Sequence, residues 1–516
     1  MNKVKNITSV GAKKLKSIFP KPIFWFCLVF MVYNFFTTKQ IFENIGRADV
    51  LVLETVGFLV EIVIIIGLYF MNKRGLKVEN KFLFLVFFLG LMFIVLLPPG
   101  QSPDDETHFR RAYAISQGDF VPESNSEDGN VFVNLPVEEQ FLNKVPEENT
   151  YKKIYDNFGV NTGELYEQKY TTAALYNFVC YLPQTVAIWI SRAFNFSLIA
   201  TEYLVEIINF CVCMGLVYYA IKIIPRFKNI LVFLALLPIV LQEATSMSPD
   251  ALTIGMSFFM VAYVLHIAYS NIGSQMKKRE IISLYIIAVI MSLCKIVYLP
   301  LVFLYLIIPA EKFGSKKNKW IHLIAIIILV VALNFCWLLI SSKYLVEIKA
   351  GVDSKNQLIS IIKDPMGYIG TIFNAINENI MFWLRGMLGT SLGAFVFNLP
   401  DVITLMTLAM MIVLFAQGGD HLDVKKRDKT ICLVIFLVIF VLILTSLYLQ
   451  WNVVGANTIS GVQGRYFIPI LTLLSIAACV SEKKKLRRTL LTEKPILYYA
   501  VFVNILALAT IFSQNI

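Results

Sequence analysis

Apolar runs long enough to cross a bilayer recur from one end of this chain to the other, and no other feature narrows its possible folds so far. Runs near 22–38, 51–70, 81–97, 200–222, 229–243, 251–269, 280–293, 296–310, 320–340, 400–416, 430–448, 465–480 and 495–512 predict about thirteen spans. The composition agrees: 57% of the 516 residues are hydrophobic and 16% charged, where soluble domains carry about 25% charge. A soluble globular domain, a disordered chain, a collagen and a disulfide scaffold are therefore excluded. The expected class is an all-α polytopic membrane protein.

The net charge of +11 would suggest nucleic acid in a soluble protein. Here the basic residues stand in short clusters between apolar runs, as orienting charges do, so no nucleic-acid partner is expected. Six of the eight cysteines (Cys27, Cys211, Cys213, Cys294, Cys336 and Cys432) lie in or beside apolar runs, and no disulfide or metal framework is visible. The first apolar run lacks a small-residue cleavage site after it and reads as a retained helix.

Basic clusters give the orientation. They are the head (Lys3, Lys5, Lys13, Lys14, Lys16, Lys21), Lys73/Arg74/Lys77/Lys81, Arg226/Lys228, Lys277/Lys278/Arg279, Lys312/Lys316/Lys317/Lys319, Lys425/Lys426/Arg427 and Lys483/Lys484/Lys485/Arg487/Arg488. With thirteen spans they all fall on one side. That predicts a multi-pass protein of the cytoplasmic membrane, with its N-terminus inside and its C-terminus outside. Two long segments then lie outside, 98–199 and 341–399. The first holds 14 acidic and 7 basic side chains. Its stretch 172–196 is apolar enough to span, but spanning would invert every later basic loop. We read it as an interfacial or dipping helix, and the amphipathic stretch Tyr368–Met387 likewise. The division expected is an N-terminal helix pair over 1–80, a membrane core over 81–480 containing both outer segments, and a basic loop with the last span over 481–516.

Ionisable residues gather at the predicted outer face. LLPPGQSPDDETHFRRAYAISQG places Asp104, Asp105, Glu106 and His108 just beyond the third run. Three carboxylates and an imidazole at the membrane surface suit a general base or a metal. The same acids also read as a helix start, with Ser102 capping and Pro103 opening the first turn. His108, one turn from Asp104 on the same face, needs another reason. Ser246-Met247-Ser248-Pro249-Asp250 is either a second site or a second capped helix start. Lys295, in CKIVYLP, lies between two apolar runs; it is a ligand-binding cation or a lysine snorkelling at a turn. Arg465, in GVQGRYFIP, opens a span at its outer N-terminal end, against both the positive-inside rule and the helix dipole. It requires an anion, either a ligand or a carboxylate such as Asp104. Arg385, in NENIMFWLRGMLG, is a weaker candidate of the same kind. Together these residues predict a polar pocket at the outer boundary. A phosphate ester of a membrane lipid suits Lys295 and Arg465, because its head group lies at that depth.

In order along the chain, SPDDETHFRRAYAISQGD, SMSPDAL, CKIVYLPL and GVQGRYFIP resemble a family of bacterial polytopic membrane proteins catalogued as domain of unknown function 2142. The likeness covers roughly residues 95–480. That family looks like a branch of the GT-C glycosyltransferases, which take a sugar from a polyprenyl-phosphate carrier on the outer membrane face. The resemblance implies a GT-C-like fold. It makes Asp104 and Asp105 the acidic pair of the first outer loop, with His108 beside them. The family's usual Pro-Asp-Glu is Pro-Asp-Asp here, which leaves open which acid acts. Asp250, Lys295 and Arg465 would line the carrier-phosphate site, with Tyr298, Gln463 and Tyr466 in the same motifs. Some such enzymes hold a divalent metal, so Mg²⁺ or Mn²⁺ on Asp104 and Asp105 is an open expectation.

The function expected is transfer of a sugar from a polyprenyl-phosphate carrier to a cell-envelope glycan or lipid-linked acceptor, outside the cytoplasmic membrane of a bacterium. The alternatives are a flippase or exporter of a lipid-linked glycan, and a polysaccharide polymerase or ligase.

Overall fold

A computed structural model describes residues 50–123, 129–141, 145–270, 274–344, 350–417, 424–479 and 491–516, the backbone of Ala48 and Asp49, and Val32, Phe35 and Lys39. The expected first span apart from Val32 and Phe35, Cys27, the basic head and the 483–488 cluster fall outside these residues. The chain is overwhelmingly helical, as an all-α membrane protein should be. Seven helices are long and apolar enough to cross a bilayer among the described residues. They are α1 (Ala48–Lys73), α2 (Val78–Leu96), α6 (Leu198–Ile223), α9 (Asp250–Tyr269), α11 (Lys316–Ser341), α15 (Lys426–Trp451) and α17 (Glu493–Gln514). Between them in chain order lie α3 (Asp105–Ser116), α4 (Thr150–Asn157), α5 (Leu182–Ala193), α7 (Lys228–Ala235), α8 (Pro238–Ala244), α10 (Lys278–Cys294), α12 (Ser354–Lys363), α13 (Pro365–Leu388), α14 (Asp401–Gln417) and α16 (Ile468–Ala478).

The remaining predicted spans take shorter or broken forms, each with a local cause. The run 229–243 is split into α7 and α8 at Pro238, which cannot continue a helix and holds Leu237 extended. The carbonyl of Leu236, freed by the break, accepts a hydrogen bond from Asn504 Nδ2 at 2.8 Å. Inside a membrane such a group must find a protein partner. The run 296–310 forms a 3₁₀ helix over Ile296–Ile307 with Pro300 inside it. At about 2.0 Å per residue its 12 residues reach further than an α-helix of that length. At its far end Lys319 Nζ and Arg427 Nη2 bond the Leu306 carbonyl.

The outward faces of α1, α11 and α15 are rows of exposed Val, Ile, Leu and Phe, as lipid contact requires. The most enclosed of the seven long helices is α9, packed against α6. The stretch 172–196 forms no helix of membrane-spanning length: α5, at 12 residues, turns Leu182, Val186, Trp189 and Ile190 outward and Gln184, Thr185, Ile188 and Ser191 inward. This is an amphipathic helix lying on the bundle. The segment 341–399 holds α13, also amphipathic, ending on Gly389 with φ 76°. Two short antiparallel ribbons complete the fold, Phe132–Pro136 with Leu165–Lys169 and Ser391–Leu392 with Phe397–Asn398.

The two ends of the bundle differ. One gathers basic clusters: Lys228 pairs with Glu79 at 3.6 Å, Lys81 with Glu493, and Lys312 Nζ bonds the Ser270 carbonyl. The other gathers the 98–199 segment, the starts of α6 and α9, the end of α10 and the start of α16. Close backbone approach fixes this end. A methyl group on Gly464 would lie 2.1 Å from the Trp383 carbonyl oxygen and 2.4 Å from the Met387 amide, so only glycine fits against α13 there.

Candidate functional site

Arg465 is the hub of a buried ionic cluster. Its Nη2 bonds Asp104 Oδ2 at 2.9 Å, its Nη1 lies 3.1 Å from Glu243 Oε2 and 3.3 Å from the Pro103 carbonyl, and its Nε is 3.6 Å from Asp250 Oδ2. Asp250 also pairs with Lys295. Five pieces of the chain thus converge on one point: the loop before α3, α8, the start of α9, the end of α10 and the turn before α16. Arg465 answers the expectation that it needs an anion by taking three carboxylates. Lys295 does not snorkel. It is largely buried, paired with Asp250, and its ammonium sits 4.7 Å from the Tyr466 ring centre and 5.6 Å from that of Tyr176. Tyr298 donates to the Tyr466 carbonyl at 2.7 Å, which fixes the turn carrying Arg465.

The two neighbouring acids of the first loop behave differently. Asp104 has a left-handed backbone (φ 66°, ψ 6°), a conformation that a non-glycine residue adopts at some cost. The expected Ser102 cap is not formed: Asp104 occupies the cap position without a side-chain cap bond. Its carboxylate reaches Arg465 while remaining 56% exposed. Asp105 is buried and accepts from the Met247 amide at 3.0 Å. Burial, and then the charge of Glu243, push its carboxyl up to about 8. It is therefore mostly protonated at neutral pH. Burial also brings His108 down to about 4, against the pull of Asp104 and Asp250, so its ring is neutral. His108 Nδ1 shares a hydrogen bond of 2.7 Å with the Tyr181 hydroxyl rather than with either acid.

The raised Asp105 value has a measurable consequence. Between the ordinary carboxyl range and about pH 8, the folded chain holds a proton on Asp105 that the unfolded chain has lost. Its contribution to stability is complete at low pH and falls as pH rises through that window. The Asp105→Asn variant keeps an acceptor for Met247 and has no such proton. Its melting temperature relative to wild type is expected to rise between pH 5 and pH 8; a flat difference would contradict the assignment.

Other predicted residues lie apart or turn away. Arg385 bonds Asp401 at 3.2 Å and the Leu399 carbonyl at 3.0 Å, which places it beside the cluster rather than in it. Gln463 Oε1 is buried without a hydrogen-bond partner. Asp104 and Asp105 do not form a metal pair, since one faces Arg465 and the other the Met247 amide. No group of three or more His, Cys, Asp or Glu side chains suited to a metal occurs among the described residues. With one acid on Arg465 and the other on Met247, the cluster does not fit Mg²⁺ or Mn²⁺.

Several residues escaped the sequence reading. Glu243 reads there as the polar end of an apolar span; the break at Pro238 makes it part of a separate short helix aimed at Arg465. Tyr176 follows one short 3₁₀ turn and Tyr181 ends a second, inside an apolar stretch. Glu202 and Glu206 are one turn apart in α6, buried, each with one oxygen unpartnered. Carboxylates inside a span were the available signal for them.

Fold and site together define a polytopic helical membrane protein with an ionic cluster enclosed at one end of its bundle. The chain belongs to the family described as predicted membrane protein (DUF2142), which matches residues 87–474. No curated protein and no solved structure matches the chain.

Proposed function

We propose that this protein is a GT-C-type glycosyltransferase of the bacterial cytoplasmic membrane, built on about thirteen spans, with its site on the outer face. It transfers a sugar from a polyprenyl-phosphate carrier to a cell-envelope glycan or lipid-linked acceptor. The observation that carries this reading is the pairing of an exposed carboxylate, Asp104, with buried Arg465. Arg465 and Lys295 offer a carrier phosphate its cationic seat. A phosphate arriving at Arg465 competes with Asp104 for the guanidinium and frees the carboxylate at the moment a base is required. The acceptor hydroxyl then attacks the anomeric carbon, its proton passes to Asp104, and the carbon–oxygen bond to phosphate breaks. Polyprenyl phosphate leaves and the configuration inverts. Asp105, protonated, and His108, neutral, hold the loop rather than take the proton.

The charges gather at one end of the bundle rather than at its midplane, which favours transfer over flipping of a lipid-linked glycan. Binding tests the seat without knowledge of the sugar. The full chain in nanodiscs is expected to retain undecaprenyl phosphate in native mass spectrometry and to lose it on Lys295→Met, while undecaprenol is retained by neither. Equal retention of the phosphate and the alcohol would remove Lys295 and Arg465 from this role.

A further inference from the structure

A second concave site lies on the other half of α3, away from the ionic cluster. It encloses about 370 Å³ of empty space, counting its open mouth. Its floor is buried and polar: Glu138, Ser191 and Thr201. Asn161, Arg192 and Phe196 stand exposed at its rim. Arg192 is held in place by the Ser116 carbonyl at 3.1 Å and by the Tyr113 ring, 4.6 Å beneath its guanidinium.

The hydrogen-bond inventory of the floor is lopsided. Glu138 Oε1 accepts from the Thr162 amide and hydroxyl, but Oε2 is buried with no partner. Burial opposes ionisation of this carboxyl, yet the bonds from Thr162 and from its own amide outweigh it and hold the group below its usual range. Thr201 donates to the Ser197 carbonyl at 2.8 Å, so Ser191 must donate to Thr201 and keeps its own lone pairs free. The floor thus asks its ligand for hydroxyl donors. The rim adds an amide, a guanidinium and an aromatic face. Polar groups in a small hollow beside an aromatic ring suit a sugar, whose hydroxyls bond outward and whose C–H face lies on the ring.

We propose that this pocket seats one uncharged pyranose residue of the acceptor glycan, an inference that rests on the transferase reading above. Its position fits. Tyr113, on its wall, is eight residues beyond Asp105 along α3, about 12 Å at helical rise. A saccharide chain spans that distance, so the pocket holds an inner residue while the outer end meets Asp104.

Saturation-transfer NMR on the full chain in nanodiscs, with maltotriose, chitotriose, mannotriose and galactotriose as probes, tests the site. At least one probe is expected to bind, with affinity at least fivefold weaker in Glu138→Gln and in Asn161→Ala. Asn161 is exposed, so its variant carries the test should Glu138→Gln misfold. The readout is binding rather than transfer, so loss of the transferase reading leaves this result standing. Absence of binding by all four probes, or unchanged binding in both pocket variants, overturns the proposal.

Discussion

Replacing Asp104 with Asn is expected to abolish envelope glycosylation while the protein remains at normal level in the membrane. The side chain keeps its size and can still touch Arg465, but it can no longer take a proton. Loss of a general base costs typically 10²–10⁴-fold in rate, enough to remove a glycan decoration from a growing cell. The neighbouring Asp105→Asn change is expected to leave decoration largely intact, because Asp105 is already protonated near neutral pH and serves Met247 as an acceptor. Sugar analysis of purified envelope polysaccharide from strains carrying each variant separates the two. Wild-type decoration with Asp104→Asn would refute the base assignment, and equal loss with both variants would refute the division of labour.

Arg465 supplies the second large effect. Its side chain is 3% exposed and that of Glu243 is fully buried. Arg465→Met leaves Glu243 enclosed without its counter-charge, a situation that costs about 3–5 kcal/mol. A marked fall in melting temperature and in membrane level is expected. The double variant Arg465→Met/Glu243→Leu removes both buried charges, and apolar replacement of such a pair is close to neutral for stability. It is expected to recover the fold but not the retention of undecaprenyl phosphate. Recovery of both would show Arg465 to be a structural cation only. Failure to recover the fold would show that Asp104 and Asp250 depend on the guanidinium as much as Glu243 does.

Much of this was legible in the chain itself. Arg465 broke two local preferences, and the structure answers with three carboxylates; Lys295 stood among apolar residues, and the structure answers with Asp250 and two tyrosine rings. Such residues announce a partner because a cation in that setting is costly alone. What sequence could not give was the identity of partners set by a broken helix. Glu243 points at Arg465 only because Pro238 redirects the chain, and a hydropathy window averages across that proline. Nor could it separate Asp104 from Asp105. One residue of backbone in the left-handed region leaves the first carboxylate in the open and sends the second inward to Met247. Periodicity sees two adjacent acids and no such turn. The 3₁₀ segment Ile296–Ile307 is hidden for the same reason, since its composition is that of any short apolar helix.

Transfer and delivery of the lipid-linked sugar differ in the carrier-bound sugar pool on the outer face of the membrane, measured in cells lacking this protein against cells that carry it. A transferase that consumes the carrier-linked sugar predicts accumulation of that pool when the protein is removed, reversed by the wild-type chain and not by Asp104→Asn. Disappearance of the outer pool on removal would instead mean that the protein delivers the lipid-linked sugar and is not a transferase.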